Sequence, residues 1–144
     1  VTTVWRICRR AFADLSGNGA RLYGGRWNTP GQPLIYAAET AALAVLEVRV
    51  HLDLDWDMLP EDYVLVAIDT PAIVAETIHE LPDDPRAVGD AWIESGQSAL
   101  LRVPSWIVPE SYNVLINPAH PDALSIQLGP IRPFRFDQRL WVPR

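Results

Sequence analysis

The sequence predicts an α+β fold, strand-rich with few short helices, and three observations carry that expectation. Apolar residues make up 49% of the 144 residues and include six Trp, enough for one substantial core. Short apolar runs with strand character outnumber stretches with helical periodicity, of which there are two, near residues 40–54 and 86–95. Thirteen prolines punctuate the chain and leave little room for long helices. Residues 1–144 read as a single domain resembling no repeat array.

In chain order, VWRIC at 4–8 alternates well enough for an opening strand centred on Arg6. DLSGNGA at 14–20 reads as turn chemistry. Gly17 and Gly19 have the first spacing of a dinucleotide fingerprint, but Leu22 stands where the third glycine is needed, so that fingerprint fails. Gly24-Gly25 frees the backbone just before Arg26, and Pro30-Gly31 marks a turn. PLIYAA at 33–38 is a buried strand, followed by a helix starting at Glu39 or Thr40. Leu43, Leu46, Val50 and Leu54 are expected to form its core-facing stripe, with Glu47 inside or beside it and Arg49 pointing away. The stretch 53–59 is expected to be a solvated acidic loop. Strands are expected at 63–69, 77–79, 99–103, 114–116, 124–128 and 133–136, with a second helix at 86–95.

Net charge is −6 and the pI about 4.9, which argues against general nucleic-acid binding. The charge is unevenly placed. Residues 1–28 hold five arginines and one acid, a local +4, so the rest of the chain carries −10. All twelve basic residues are Arg, whose planar fork matches phosphate oxygens. A basic segment in an acidic protein suggests a focused anion site. A lone cysteine, Cys8, excludes an internal disulfide and a cysteine-based zinc cluster, and the three His lack ligand spacing, so no metal site is expected. No apolar run reaches a membrane span and no signal-peptide pattern opens the chain, so the cytoplasm is the expected compartment. The Val1 start suggests a trimmed N-terminus.

Four side chains stand out chemically. A carboxylate in an apolar stripe, Glu47, is costly without a partner or a function. It is either a satisfied core acid or the floor of a cleft, where it would hold a ribose hydroxyl and stabilise positive charge on a sugar carbon. Arg26 either pairs with a surface acid or clamps a pyrophosphate together with Arg6. Tyr36, with Tyr23 as a second candidate, is either an ordinary core tyrosine or a stacking surface for an aromatic ring. Ser105, in VPSW, is most simply a turn residue, since no base near it in sequence would activate a nucleophile.

Together these segments resemble the RES-domain family, named for an arginine, a glutamate and a serine. The resemblance runs through VWRI, DLSGNGARLYGGRWNTPGQPLIYAA, LEVRVHLDLD and SALLRVPSWIVPESYNVLINPAHPDA, nearly the whole chain. Matched piece by piece, it implies that Arg6, Arg26, Tyr36, Glu47 and Ser105 are the family's polar residues. It further implies a fold like that of diphtheria-type ADP-ribosylating toxins and NAD+ as substrate. The chain would then be the toxin of a bacterial type II toxin–antitoxin pair, with a helix-turn-helix antitoxin blocking its cleft. The ADP-ribose acceptor would be water, phosphate, or a protein such as an enzyme of phosphoribosyl pyrophosphate synthesis. On that reading Glu47, Arg26, Tyr36 and Ser105 are catalytic, and Arg6, Arg26, Tyr23, Tyr36 and Asn28 bind the dinucleotide, with Ser105 orienting Glu47 or the ribose. The alternative is a non-catalytic nucleotide- or partner-binding module in which Glu47 is structural.

Overall fold

The computed structural model describes residues 2–141, so the Val1 terminus lies outside it. Seven strands form one sheet: β1 Thr2–Arg9, β2 Ile35–Ala38, β3 Tyr63–Thr70, β4 Ala75–Thr77, β5 Leu100–Pro104, β6 Tyr112–Ile116 and β7 Gln127–Pro133. Their order is β4-β5-β6-β2-β1-β3-β7, antiparallel throughout except for the β4/β5 pair. Three helices accompany it: α1 Asn18–Tyr23, α2 Ala41–His51 and α3 Pro85–Ser95. The α+β expectation holds.

Alternation along the strands explains why the sheet is covered on both faces. Val64, Val66 and Ile68 of β3 point with Ile35, Ala37, Leu100, Val114 and Ile116 into one cluster, closed by Ile126. On the other face the apolar residues divide in two. Leu101, Val103 and Leu115 pack with Trp92 and Ile93 of α3 and with Ala20 and Trp27. Ile7, Ala38 and Leu65 pack with Leu43 and Ala44 of α2 and with Phe136. The division follows from the seam of the sheet, because β1 and β2 pair at one position only, Trp5 with Ala38. Past that pair the strands diverge, and the space between the two clusters stays open.

Several local expectations are corrected. DLSGNGA is not only a turn: Gly17, at φ 70°, leads into α1, a helix too short to show periodicity and held by burial of Ala20. The proposed stripe of α2 is rotated. Leu43 and Ala44 are the buried positions, Val50 is exposed, and Leu54 lies beyond the helix and is exposed. The acidic loop holds a single-turn helix, Trp56–Met58, whose Trp56 packs edge-on against Trp141. The strand predicted at 77–79 is β4, two residues earlier, because it pairs with β5 through Ala75–Thr77. His120 accepts from the Asp122 amide and Pro121 begins a 3-10 turn, Pro121–Ser125, so the last strand starts at Gln127 rather than Leu124. Pro133 ends β7, paired with Val64, and residues 134–136 lie beyond the strand; Phe134 and Phe136 stack edge-to-face with each other, and Phe136 with Tyr63 and Trp141.

Candidate active site

The opening between the two clusters is a cavity of about 470 Å³. Its walls come from the parting strands (Arg6, Ile7 and Cys8 of β1; Tyr36 and Ala37 of β2), from the 23–27 turn and from Ala44, Glu47, Val48 and His51 of α2. Trp106 and Asn113 close the far side. Arg6, Tyr23, Arg26, Tyr36 and Glu47, singled out from sequence, therefore meet in one cleft.

Glu47 reaches it because α2 starts at the Thr40 cap, whose hydroxyl accepts from the Leu43 amide at 3.1 Å. One turn earlier, Ala44 is too small to cover the carboxylate. Glu47 Oε2 accepts a hydrogen bond from the Asn113 side-chain amide on β6. His51 bonds through Nδ1 to the Glu47 backbone carbonyl at 2.7 Å, the helix-end geometry of a residue one turn later. Arg49 points away, as the helical period requires. Its guanidinium lies 4.0 Å over the Trp141 ring and its Nε donates to the Leu140 carbonyl.

The GGRWN turn is fixed by Tyr36. Its hydroxyl accepts from the Trp27 amide at 2.9 Å and donates to Asn28 Oδ1 at 2.6 Å. Asn28, 0% exposed, donates its amide to the carbonyls of Ala20, Thr29 and Gln32. Asn28 thus lies behind the cleft wall and is absent from its lining, a correction to its expected ligand contact. Burial pushes the Tyr36 hydroxyl up to about 12, outweighing the bond from Trp27, so it stays protonated and serves as a hydrogen-bonding post. Gly25 is required beside it, since a Cβ there would stand 2.5 Å from that hydroxyl.

Helix α3 braces the turn from outside. Asp90 accepts from the Thr29 amide at 3.0 Å and Arg86 Nε donates to the Gly25 carbonyl at 3.0 Å. The result is a rigid loop holding Arg26 at the surface with its guanidinium 4.5 Å over the Trp106 ring. Arg6 is tethered by one bond to the Phe12 carbonyl, 2.9 Å. Among the described residues, neither arginine forms an ion pair with a carboxylate, whereas Arg9 is taken up by Asp62. Two available guanidinium groups and one carboxylate thus face a cavity with aromatic edges. Tyr23, 74% exposed and edge-on to Phe12 at 6.4 Å, stands at the mouth. Cys8 stays a thiol, because burial raises its pKa more than Arg6 lowers it.

Ser105 is placed differently from its expected role. It is 0% exposed and does not line the cavity, and Glu47 is bonded instead by Asn113. Asn113 and Trp106 were missed as site residues. The signal for Asn113 was its position in a strand between apolar neighbours, where Asn is disfavoured.

A family model described as the RES domain matches residues 3–137. The chain belongs to the RES-domain family. Relatives within it include the Prs ADP-ribosylating toxin of Sphingobium sp. (strain YBL2), 42% identical over 96% of both chains. The Toxin Res of Pseudomonas putida is 36% identical over 96% of this chain and 99% of its own. That of Photorhabdus laumondii is 40% identical over 83% of each. The fold is shared with a chain of the M. tuberculosis MbcT-MbcA toxin–antitoxin complex, at TM-score 0.72 and 24% identity, covering 93% of this chain and 84% of that one. Among the described residues of this RES domain no helix is long and apolar enough to cross a membrane.

Proposed function

We propose that this RES domain is the toxin of a toxin–antitoxin pair that cleaves the nicotinamide–ribose bond of NAD+ and transfers ADP-ribose to an acceptor. The observation that carries this reading is the facing of the Glu47 carboxylate by Arg6 and Arg26 across one cleft. The name of the Sphingobium relative supports ADP-ribosylation, and that of the Pseudomonas putida relative supports a toxin. Nicotinamide leaves with the electron pair of the C–N bond and becomes neutral, so positive charge develops on the ribose. Glu47, held by Asn113, stabilises that charge and binds a ribose hydroxyl. Arg6 and Arg26 hold the pyrophosphate, and the aromatic edges of the cleft pack the rings. The acceptor then adds to the ribose carbon and loses its proton. Binding of the remote adenosine half positions the scissile bond.

The acceptor we favour is a protein, a phosphoribosyl pyrophosphate synthetase, because the relative sharing 42% identity is named for modifying Prs. A cytoplasmic helix-turn-helix antitoxin covering the cleft would complete the system. The test is to incubate the protein with NAD+, with and without phosphate and cell lysate, and to weigh the products. A labelled synthetase supports protein transfer, while free or phosphorylated ADP-ribose would move the acceptor to water or phosphate. Glu47→Gln keeps the shape and the Asn113 contact but loses the charge, so it should consume NAD+ at least a hundredfold more slowly while melting like wild type. Wild-type turnover in that variant would return Glu47 to a structural role and favour a binding module.

A further inference from the structure

We infer that Ser105 is a positioning residue that acts through Trp106 on Arg26 and touches neither Glu47 nor substrate. The inference rests on the NAD+ reading of the cleft and assigns a task to a serine that the cleft itself does not use.

The Ser105 hydroxyl oxygen accepts from the amides of Ile107 at 3.1 Å and Val108 at 3.2 Å. A hydroxyl taking bonds from residues two and three positions later is a side-chain turn, closing the chain on itself just after β5. The backbone closes the same loop. The Ser105 amide donates to the Ser111 carbonyl at 2.8 Å, and the Ser111 amide to the Val108 carbonyl at 2.8 Å. Proline 104 precedes the turn and Pro109 follows it. Trp106, Ile107, Pro109 and Glu110 are exposed in this segment, and of these four Trp106 alone lines the cleft.

Trp106 is 38% exposed and lines the cleft that Ser105 does not. Its ring lies between two features of the GGRWN turn: edge-on to Trp27 at 6.2 Å and under the Arg26 guanidinium at 4.5 Å. Trp27 is itself buried and pinned through its amide by Tyr36. The ring is therefore a fixed platform on which an otherwise exposed arginine rests with its donors free for an anion. A flexible arginine loses rotamer freedom on binding phosphate; one already laid on a ring loses less. The serine fixes the turn, the turn fixes the ring, and the ring fixes the arginine.

The test is a double-mutant cycle on NAD+ consumption with Ser105→Ala, Trp106→Ala and both. Each single change should raise KM about tenfold, ~1.4 kcal/mol, with kcat within about twofold, and the double variant should be no worse than Trp106→Ala. Ser105→Thr, which retains the acceptor oxygen, should stay near wild type. A fall in kcat at unchanged KM for Ser105→Ala, or losses that multiply in the double variant, would mean that the serine meets the reacting groups directly and would overturn the inference. A readout independent of activity is fluorine NMR of protein labelled with 5-fluorotryptophan. The resonance missing in Trp106→Phe identifies the ring, and it should move in both Ser105→Ala and Arg26→Met. A resonance unmoved by Ser105→Ala refutes the relay whether or not the protein consumes NAD+. Failure of the wild type to consume NAD+ with the resonance moving as expected refutes the functional reading alone.

Discussion

Gly89 sits in the middle of α3, where glycine costs helix stability, yet replacing it should destabilise the protein. A Cβ at this position would stand 1.7 Å from the Trp27 carbonyl oxygen and 2.7 Å from its carbonyl carbon. Both atoms are backbone, so no flexible side-chain end can swing aside. To reach ordinary van der Waals contact at 3.4 Å the helix and the GGRWN turn must part by about 1.7 Å. That separation loosens Trp92 and Ile93 from their cluster and stretches the Asp90 and Arg86 bonds to the turn. Overpacking of this kind costs about 3 kcal/mol, against which alanine's better helix propensity returns about 1 kcal/mol. The net loss of about 2 kcal/mol should lower the melting temperature of Gly89→Ala by roughly 6 °C for a chain of this size. Circular dichroism melts measure it, and NAD+ turnover should show a raised KM because Arg26 rides on the displaced turn. The sign decides the matter. If the variant melts at or above the wild-type temperature, helix propensity governs this position and the close contact does not brace the site.

Three further outcomes follow from the same geometry. Tyr36→Phe strands the Trp27 amide and Asn28 Oδ1 and should cost about 2 kcal/mol in denaturant unfolding. Because folding raises the Tyr36 pKa from 10.0 to about 12, its stabilising contribution is intact below pH 10 and disappears as pH rises through about 12. The wild type should therefore lose about 2–3 kcal/mol more than Tyr36→Phe across that window. Asn113→Leu removes the amide that holds the Glu47 carboxylate, and kcat for NAD+ should fall about thirtyfold, ~2 kcal/mol, with an unchanged far-ultraviolet spectrum. Arg26→Ala loses two charge-assisted phosphate bonds, on the order of 3 kcal/mol, so calorimetry should show NAD+ binding weakened roughly a hundredfold.

Much of this was legible in the chain because local rules sufficed. Apolar, β-branched runs such as YVLVAID read as strands, and Thr40 announces the start of α2. Glu47 was conspicuous because it interrupts an apolar helix, and Arg26 because it follows two glycines. The rotation of the α2 stripe was not legible. That helix is apolar nearly all round, so its own pattern does not choose a face; contact with Ile7, Ala38 and Leu65 does. The last strand was misplaced for a related reason, since β7 is an edge with exposed residues and two prolines, and its register is set by β3.

The sequence by itself determined which side chains were chemically out of place: an acid in an apolar helix, a cluster of arginines in an acidic chain, a tyrosine in a buried strand. Tertiary structure alone decided that they share a cavity, because the cavity is made by β1 and β2 parting after a single paired position, Trp5 with Ala38, and no local pattern encodes where two distant strands stop pairing. It also decided which of them face the cleft. Tyr36 lends its hydroxyl to a turn, Asn28 and Ser105 work from behind the wall, and Asn113, from the other half of the chain, holds the glutamate. A side chain's residue type fixes what bonds it can make, but only the packed neighbours fix which of those bonds are already made.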